Sequence, residues 1–389
     1  NFSGGTADIT NAGKMSGGAY TAKGTMGITN EGTVENGSYT AETGAMTVTN
    51  SGKLSSGTYT AKAGTMDITN EGTIENGTYT ARGDLTYTDI AKSSLTDGTL
   101  ISEEGKAKIT AHGVLQIKKL SAKDNATVEA DHDVTLTEAE AGTLAISSGG
   151  SVNAGTLTAT TGDAKVKAKT NVTIGTLTAE TGGATIEATD GALGVTTLNA
   201  KSLTAKAGTT LSAKTLDVKE HAALTSGGDM VLTEAHANTL TANAGGKLTA
   251  TTLGVTGAAG LTSGGAMEVT DANVGSVAAK AGTTLHVKKL TSTGEATLTS
   301  KDEAKLDDVT AGTLAAESTA GSVNAGTLTA KTGNASVTAK TDVKIDALKA
   351  EAGSTTVEAT EGKLDVTTLN AKSLTAKAGT TLSAKTLDV

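Results

Sequence analysis

Apolar and polar positions recur along the first 83 residues with a period of 19 to 20. Ala7, Met26, Met46 and Met66 form one column. Ile9, Ile28, Val48 and Ile68 form a second, two residues on, and Met15, Val34, Leu54 and Ile74 a third. A spacing of two places both side chains on one face of a strand. A helical coil would instead space apolar residues by three and four. The pattern therefore predicts short strands such as MDIT and GTYTA. They are joined by turns at Glu31-Gly32, Asn36-Gly37, Glu71-Gly72 and Asn76-Gly77. A fixed period near twenty residues marks a solenoid.

Two further columns carry polar or aromatic groups. Tyr20, Tyr39, Tyr59 and Tyr79 stand in one register, and Asn11, Asn30, Asn50 and Asn70 in another. If each coil lies on the last at a spacing of about 4.8 Å, like stacks on like. Aromatic piles and amide ladders are then the expected stabilising devices. The asparagines either bond along the stack or simply tolerate a left-handed backbone at a turn.

A second repeat family follows. Residues 1–83 are of the tyrosine type, and 84–114 are transitional, with an apolar rhythm at Leu85, Tyr87, Ile90, Leu95 and Leu100 but blurred columns. From 115 a Leu-x-Ala strand recurs, with Leu157, Leu177, Leu198 and Leu216 in step, beside Val166 and Ile186 and beside Ile174 and Val195. Residues 150–218 return as 321–389, 171 positions on, with 53 of 69 residues identical. The differences, such as Lys165/Ser336, Thr178/Lys349 and Gly194/Asp365, fall almost wholly on small or polar residues. The apolar columns are kept apart from Ile186/Val357, as an inward column and an outward face require. Residues 115–284 form one superunit of about nine coils, and 285–389 a second, incomplete copy in a chain expected to continue. The fold class is all-β: a right-handed parallel β-helix of about twenty coils of 19–22 residues with three short strands each. Such a stack would be roughly 90 Å long.

Composition sharpens this picture. The 389 residues include no Pro, Trp or Cys, one Phe, one Arg and 49 Gly. Missing proline suits a backbone whose donors are used in ladders. Few aromatics suit a thin core of Val, Ile, Leu, Ala and Thr. Without cysteine there is no disulfide framework or thiolate metal site. The net charge of −9 is spread along the chain, so no basic tract points to nucleic acid. No apolar run approaches the ~20 residues of a membrane span, and no membrane insertion is expected.

The Leu-x-Ala coils, such as SLTAKAGTTLSAKTLDV at 202–218, resemble the haemagglutinin repeats of filamentous haemagglutinins. These are two-partner-secreted exoproteins of Gram-negative bacteria, and contact-dependent growth-inhibition stalks share the repeat type. The resemblance covers most of the chain in period, residue type and Gly-Thr-Lys-Ala bias, although no single motif is diagnostic and nothing matches the family's amino-terminal secretion domain. It implies a right-handed β-helical fibre, export through an outer-membrane secretion partner and a place at the bacterial outer surface or beyond. It also implies adhesion to a host or neighbouring-cell receptor, or display of a distal toxin. Lateral self-association of fibres is a further expected contact.

Candidate sites are few. Arg82-Gly83-Asp84 is the integrin-recognition tripeptide, with a guanidinium and a carboxylate on one expected turn; Lys23-Gly24, at the equivalent place, makes it equally an ordinary turn variant. Asp131-His132-Asp133 does not converge on one strand face, and His112, His221, His236 and His286 have no ligand-spaced partner in the sequence. No metal or cofactor is expected. An enzyme built on a β-helix would need clustered carboxylates, usually with Arg or Lys; isolated Glu129, Glu187 and Glu358 do not supply them, and no catalysis is expected. Thr-x-Thr pairs at Thr47/Thr49, Thr86/Thr88 and Thr327/Thr329 raise ice binding, but such a face needs unbroken threonine rows, and Lys, Asp, Glu and Gly interrupt them, so it ranks below the other readings. The expected function is the structural shaft of a long secreted or cell-surface filament. A receptor-binding segment or toxin stalk is the alternative.

Overall fold

A computed structural model describes residues 5–90 and 93–389. Every regular element among them is a β-strand, and the strands pair in parallel, one coil to the next. The fold is a right-handed parallel β-helix of about 20 turns. The chain divides into two compact units, Asn1–Lys201 and Ser202–Val389.

In the first unit each tyrosine-type coil contributes three faces. The coil at Met46–Asn50, Lys53–Ser55 and Thr58–Ala61 is representative. Along it Met46, Val48, Asn50, Leu54, Tyr59 and Ala61 point inward, and Thr47 and Thr49 point out. The period-two pattern therefore becomes an inside and an outside, as strand geometry demands. The first-face strand ends in Asn-x-Gly. At Gly52 an added Cβ would lie 2.0 Å from the Gly32 carbonyl oxygen of the coil below, so only glycine lets the turns nest. The turn before the third face carries positive φ at Asn36, Ser56, Asn76 and Asp97, between 52° and 55°. These are the left-handed positions; the asparagine ladder column is not among them.

The columns that blur in sequence between 84 and 114 run on in register. Tyr79 pairs with Leu100, Leu100 with Leu120, Leu120 with Ala139, and Ala139 with Leu157. Met66, Leu85, Ala107, Ala126 and Leu144 form another unbroken line. The tyrosine and Leu-x-Ala families thus share one set of columns with different occupants. The blurring comes from unequal turns: Leu85 to Ala107 spans 22 residues, whereas Ala126 to Leu144 spans 18, one fewer than expected. Extra residues sit in corners and leave the ladders intact.

The later coils differ in one respect from three short strands. Val114–Ala130 and Val172–Ala188 are continuous strands of 17 residues that bend through the corners. In the second unit Leu211, Met230, Leu248, Met267 and Leu285 stack in order. The Leu-x-Ala column alternates by coil as Leu216, Ala235, Leu253, Ala272 and Leu290. A neighbouring inward column answers with Ala213, Leu232 and Ala250. Large faces small within each coil, which fills a narrow interior at native density.

Candidate functional site

The most ordered feature of the first unit is the aromatic pile. Tyr20, Tyr39, Tyr59 and Tyr79 stack with ring centroids 5.1, 4.9 and 4.7 Å apart and planes within 4° to 11° of parallel. Tyr39, Tyr59 and Tyr79 are fully buried, and their hydroxyls have no hydrogen-bond partner among the described residues. Burial pushes the Tyr39 phenol up to about 12, helped by the neighbouring Tyr20. The same two causes, burial first and the next tyrosine second, raise Tyr59 and Tyr79. Each ring folds back over the glycine two residues before it. A Cβ at Gly57 would stand 2.7 Å from the Tyr59 ring, which gives Gly-x-Tyr its physical meaning. A buried phenol with no acceptor within reach is held in its neutral form, so this pile is suited to packing.

The asparagine column resolves the two sequence readings in favour of a ladder. Asn11 Nδ2 donates to Asn30 Oδ1, Asn30 to Asn50, and Asn50 to Asn70, each at 2.7 Å. Each Nδ2 also donates to the glycine carbonyl two residues on, as Asn30 does to Gly32 at 3.1 Å. At the top, Asn70 Nδ2 turns to the Tyr87 hydroxyl at 3.2 Å. Tyr87, the fifth tyrosine, lies in the isoleucine column between Ile68 and Ile109. Asp89 succeeds Asn70 in the ladder column and is fully buried; its Oδ1 accepts the His112 backbone N–H.

Arg82-Gly83-Asp84 occupies a corner between the third and first faces, with Arg82 and Asp84 exposed. Both charged side chains are engaged by the next coil. Arg82 Nε donates to Glu104 Oε2 at 3.0 Å, which holds the guanidinium more firmly protonated and lowers the Glu104 carboxyl. Asp84 Oδ1 accepts the Lys106 backbone N–H at 2.8 Å. This second contact recurs. Asp133, Asp163, Asn171, Asp229, Asn334 and Asp342 also accept a backbone N–H from the next coil through Oδ1, at 2.7 to 2.9 Å. Each stands immediately before a strand, as Asp84 stands before Leu85. Asp84 is thus one of a series of corner clasps, a role the sequence reading did not separate from recognition. Its signal was available: Asp or Asn before an apolar strand start in one coil, and often Gly at the facing position of the next.

The histidines are better connected than their scatter suggests. His112 Nδ1 lies 2.7 Å from Asp131 Oδ2 one coil above, and this hydrogen bond raises the imidazole pKa. His286 Nε2 is 3.1 Å from Asp307 Oδ2. Within Asp131-His132-Asp133 the groups diverge, since Asp131 meets His112 and Asp133 clasps Ser151. Among the described residues no three His, Cys, Asp or Glu side chains gather to hold a metal.

In the second unit a recess of about 540 Å³ opens at one corner, where Gly254 and Gly275 remove side chains. Asp217 is its one acidic lining residue, beside Lys219, His236, Asn238 and Asn273. Elsewhere the outer face bears cross-coil ion pairs such as Lys53–Glu75 at 2.8 Å and Lys377–Glu358 at 2.7 Å. Glu268 sits between Lys247 and Lys288, 3.2 Å from each, and its carboxyl is lowered by both hydrogen bonds. Among the described residues no helix is long and apolar enough to cross a membrane. No protein-family model matches this chain, and neither does any curated protein or solved structure.

Proposed function

We propose that the chain is the structural shaft of a long secreted or cell-surface filament, with no catalytic role. The observation that carries this reading is the unbroken register of inward columns through the change of repeat family, Tyr79 to Leu100 to Leu120 to Ala139. Many outward side chains are tied to the coil above or below by clasps and ion pairs. Such an arrangement suits a stiff rod. Export through an outer-membrane partner rests on the resemblance of the Leu-x-Ala coils to haemagglutinin repeats.

Deleting residues 151–321 joins Gly150 to Ser322, the residue equivalent to Ser151, and removes one superunit in register. A shaft keeps its fold and its attachment to cells and loses only reach, measured by electron microscopy of the displayed chain. Loss of attachment would defeat the reading.

A receptor-binding segment is the second reading, favoured by the exposed corner at Arg82-Gly83-Asp84. The Asp84→Asn variant separates the two. Asn171 and Asn334 make the same corner clasp with an amide oxygen, so the fold is retained. An integrin-type site loses its carboxylate and its attachment; unchanged attachment removes this motif from consideration.

A further inference from the structure

The third face of the unit Asn1–Lys201 carries an arrangement that a shaft does not require. Its strands read Ser38-Tyr39-Thr40, Thr58-Tyr59-Thr60 and Thr78-Tyr79-Thr80. The tyrosine points in, so both flanking hydroxyl residues point out. Ser38, Thr58, Thr78 and Thr99 pair in one row. Thr21, Thr40, Thr60 and Thr80 pair in a second. Within these coils neither row is interrupted by a charge or a glycine; the first row is bounded by Ala19 and Lys119, and the second ends at Ile101. The interruptions expected from sequence do occur on the first face. There the row Thr10, Thr29, Thr49, Thr69, Thr88 and Thr110 is continuous, but its companion reads Asp8, Gly27, Thr47, Asp67, Thr86 and Lys108.

The third face is thus a two-dimensional hydroxyl lattice. Its repeat along the stack follows the rings beneath, 4.9 and 4.7 Å apart. Its repeat across the strand is two residues, about 6.6 Å. The buried tyrosine pile backs the surface. Among the described residues the hydroxyls of Thr40, Thr58, Thr60, Thr78 and Thr80 have no protein partner, and so are available to an external one. Charged residues along one edge of the lattice pair with one another, Lys62 with Glu42 at 2.9 Å and Arg82 with Glu104 at 3.0 Å.

We propose that this face binds ice. Surface oxygens of hexagonal ice repeat at distances of similar size in two directions, and a rigid, uncharged hydroxyl array can replace part of a water layer at that surface. Each contact is weak, but contacts made together on a preorganised surface cost little ordering entropy. A sugar polymer fits less well. Sugar sites draw on exposed aromatic platforms, and these tyrosines face inward.

The test is thermal hysteresis of the whole chain by nanolitre osmometry, with inhibition of ice recrystallisation as a second readout. The intact protein is expected to open a concentration-dependent gap between melting and freezing. The variant Thr40→Lys/Thr60→Lys/Thr80→Lys is expected to abolish it, and the first-face control Thr49→Lys/Thr69→Lys to keep it. Near-ultraviolet circular dichroism of the tyrosine pile checks folding of each; should the triple variant unfold, Thr60→Lys alone takes its place. No hysteresis from the intact chain, hysteresis retained after the third-face change, or equal loss in the control would each overturn the proposal.

Discussion

Replacing Asn50 with alanine tests the ladder at its most constrained rung. Asn50 is fully buried. Its Oδ1 accepts from Asn30 and its Nδ2 donates to Asn70, both at 2.7 Å, with further contacts to the Gly52 and Thr73 carbonyls at 3.2 and 3.3 Å. A buried hydrogen bond contributes about 1 kcal/mol net, and a partner left unsatisfied costs about 1–3 kcal/mol. Several partners keep other bonds: Asn30 Nδ2 still reaches the Gly32 and Lys53 carbonyls, and Asn70 Oδ1 still accepts from the Gly72 N–H. The loss therefore centres on the two ladder bonds, giving about 2 kcal/mol. Asn11 is also buried but has only one ladder bond, so Asn11→Ala should cost about 1 kcal/mol. Asn50→Asp should exceed Asn50→Ala near neutral pH, because a carboxylate cannot donate to Asn70 and faces its oxygen instead. A solenoid opens in parts, so a single global midpoint would average the effect. Native-state hydrogen exchange read on peptides covering 46–61 reports the coil directly. Equal losses at Asn50 and Asn11, or a loss at Asn50 below about 1 kcal/mol, would refute the ladder as a stabilising element.

Alkaline titration gives a second prediction. Folded-state phenol pKa values raised above the ordinary 10 contribute stability that is complete below pH 10 and is lost as pH rises through the folded values, about 12 for Tyr39. Ultraviolet absorbance should show Tyr39, Tyr59 and Tyr79 still neutral at pH 11 in the folded chain, with ionisation and loss of the stack arriving together above it; early ionisation with the fold intact would contradict the buried pile. Gly57→Ala should cost about 1–3 kcal/mol, since the new methyl meets the Tyr59 ring and overpacks the core. Reduced near-ultraviolet dichroism with little change at the first-face strands is the expected signature, read with local hydrogen exchange.

Much of this protein was legible in the chain itself. The period-two columns fixed which residues face in, because strand geometry leaves no other choice. The repeat length implied stacking of like on like, so the tyrosine pile followed from position alone, whereas the asparagine column needed the structure to show a ladder. What the sequence left open was what depends on neighbours in another coil. Turn lengths of 18 to 22 residues disguised one continuous register as a blurred transition. The clasp of Asp84 on Lys106, the pairing of His112 with Asp131 and the separation of two threonine-bearing faces all join residues about twenty positions apart. Spacing along the chain shows that such residues lie one above another. Only the folded backbone, which sets where each corner turns, decides which face they share and which atoms meet.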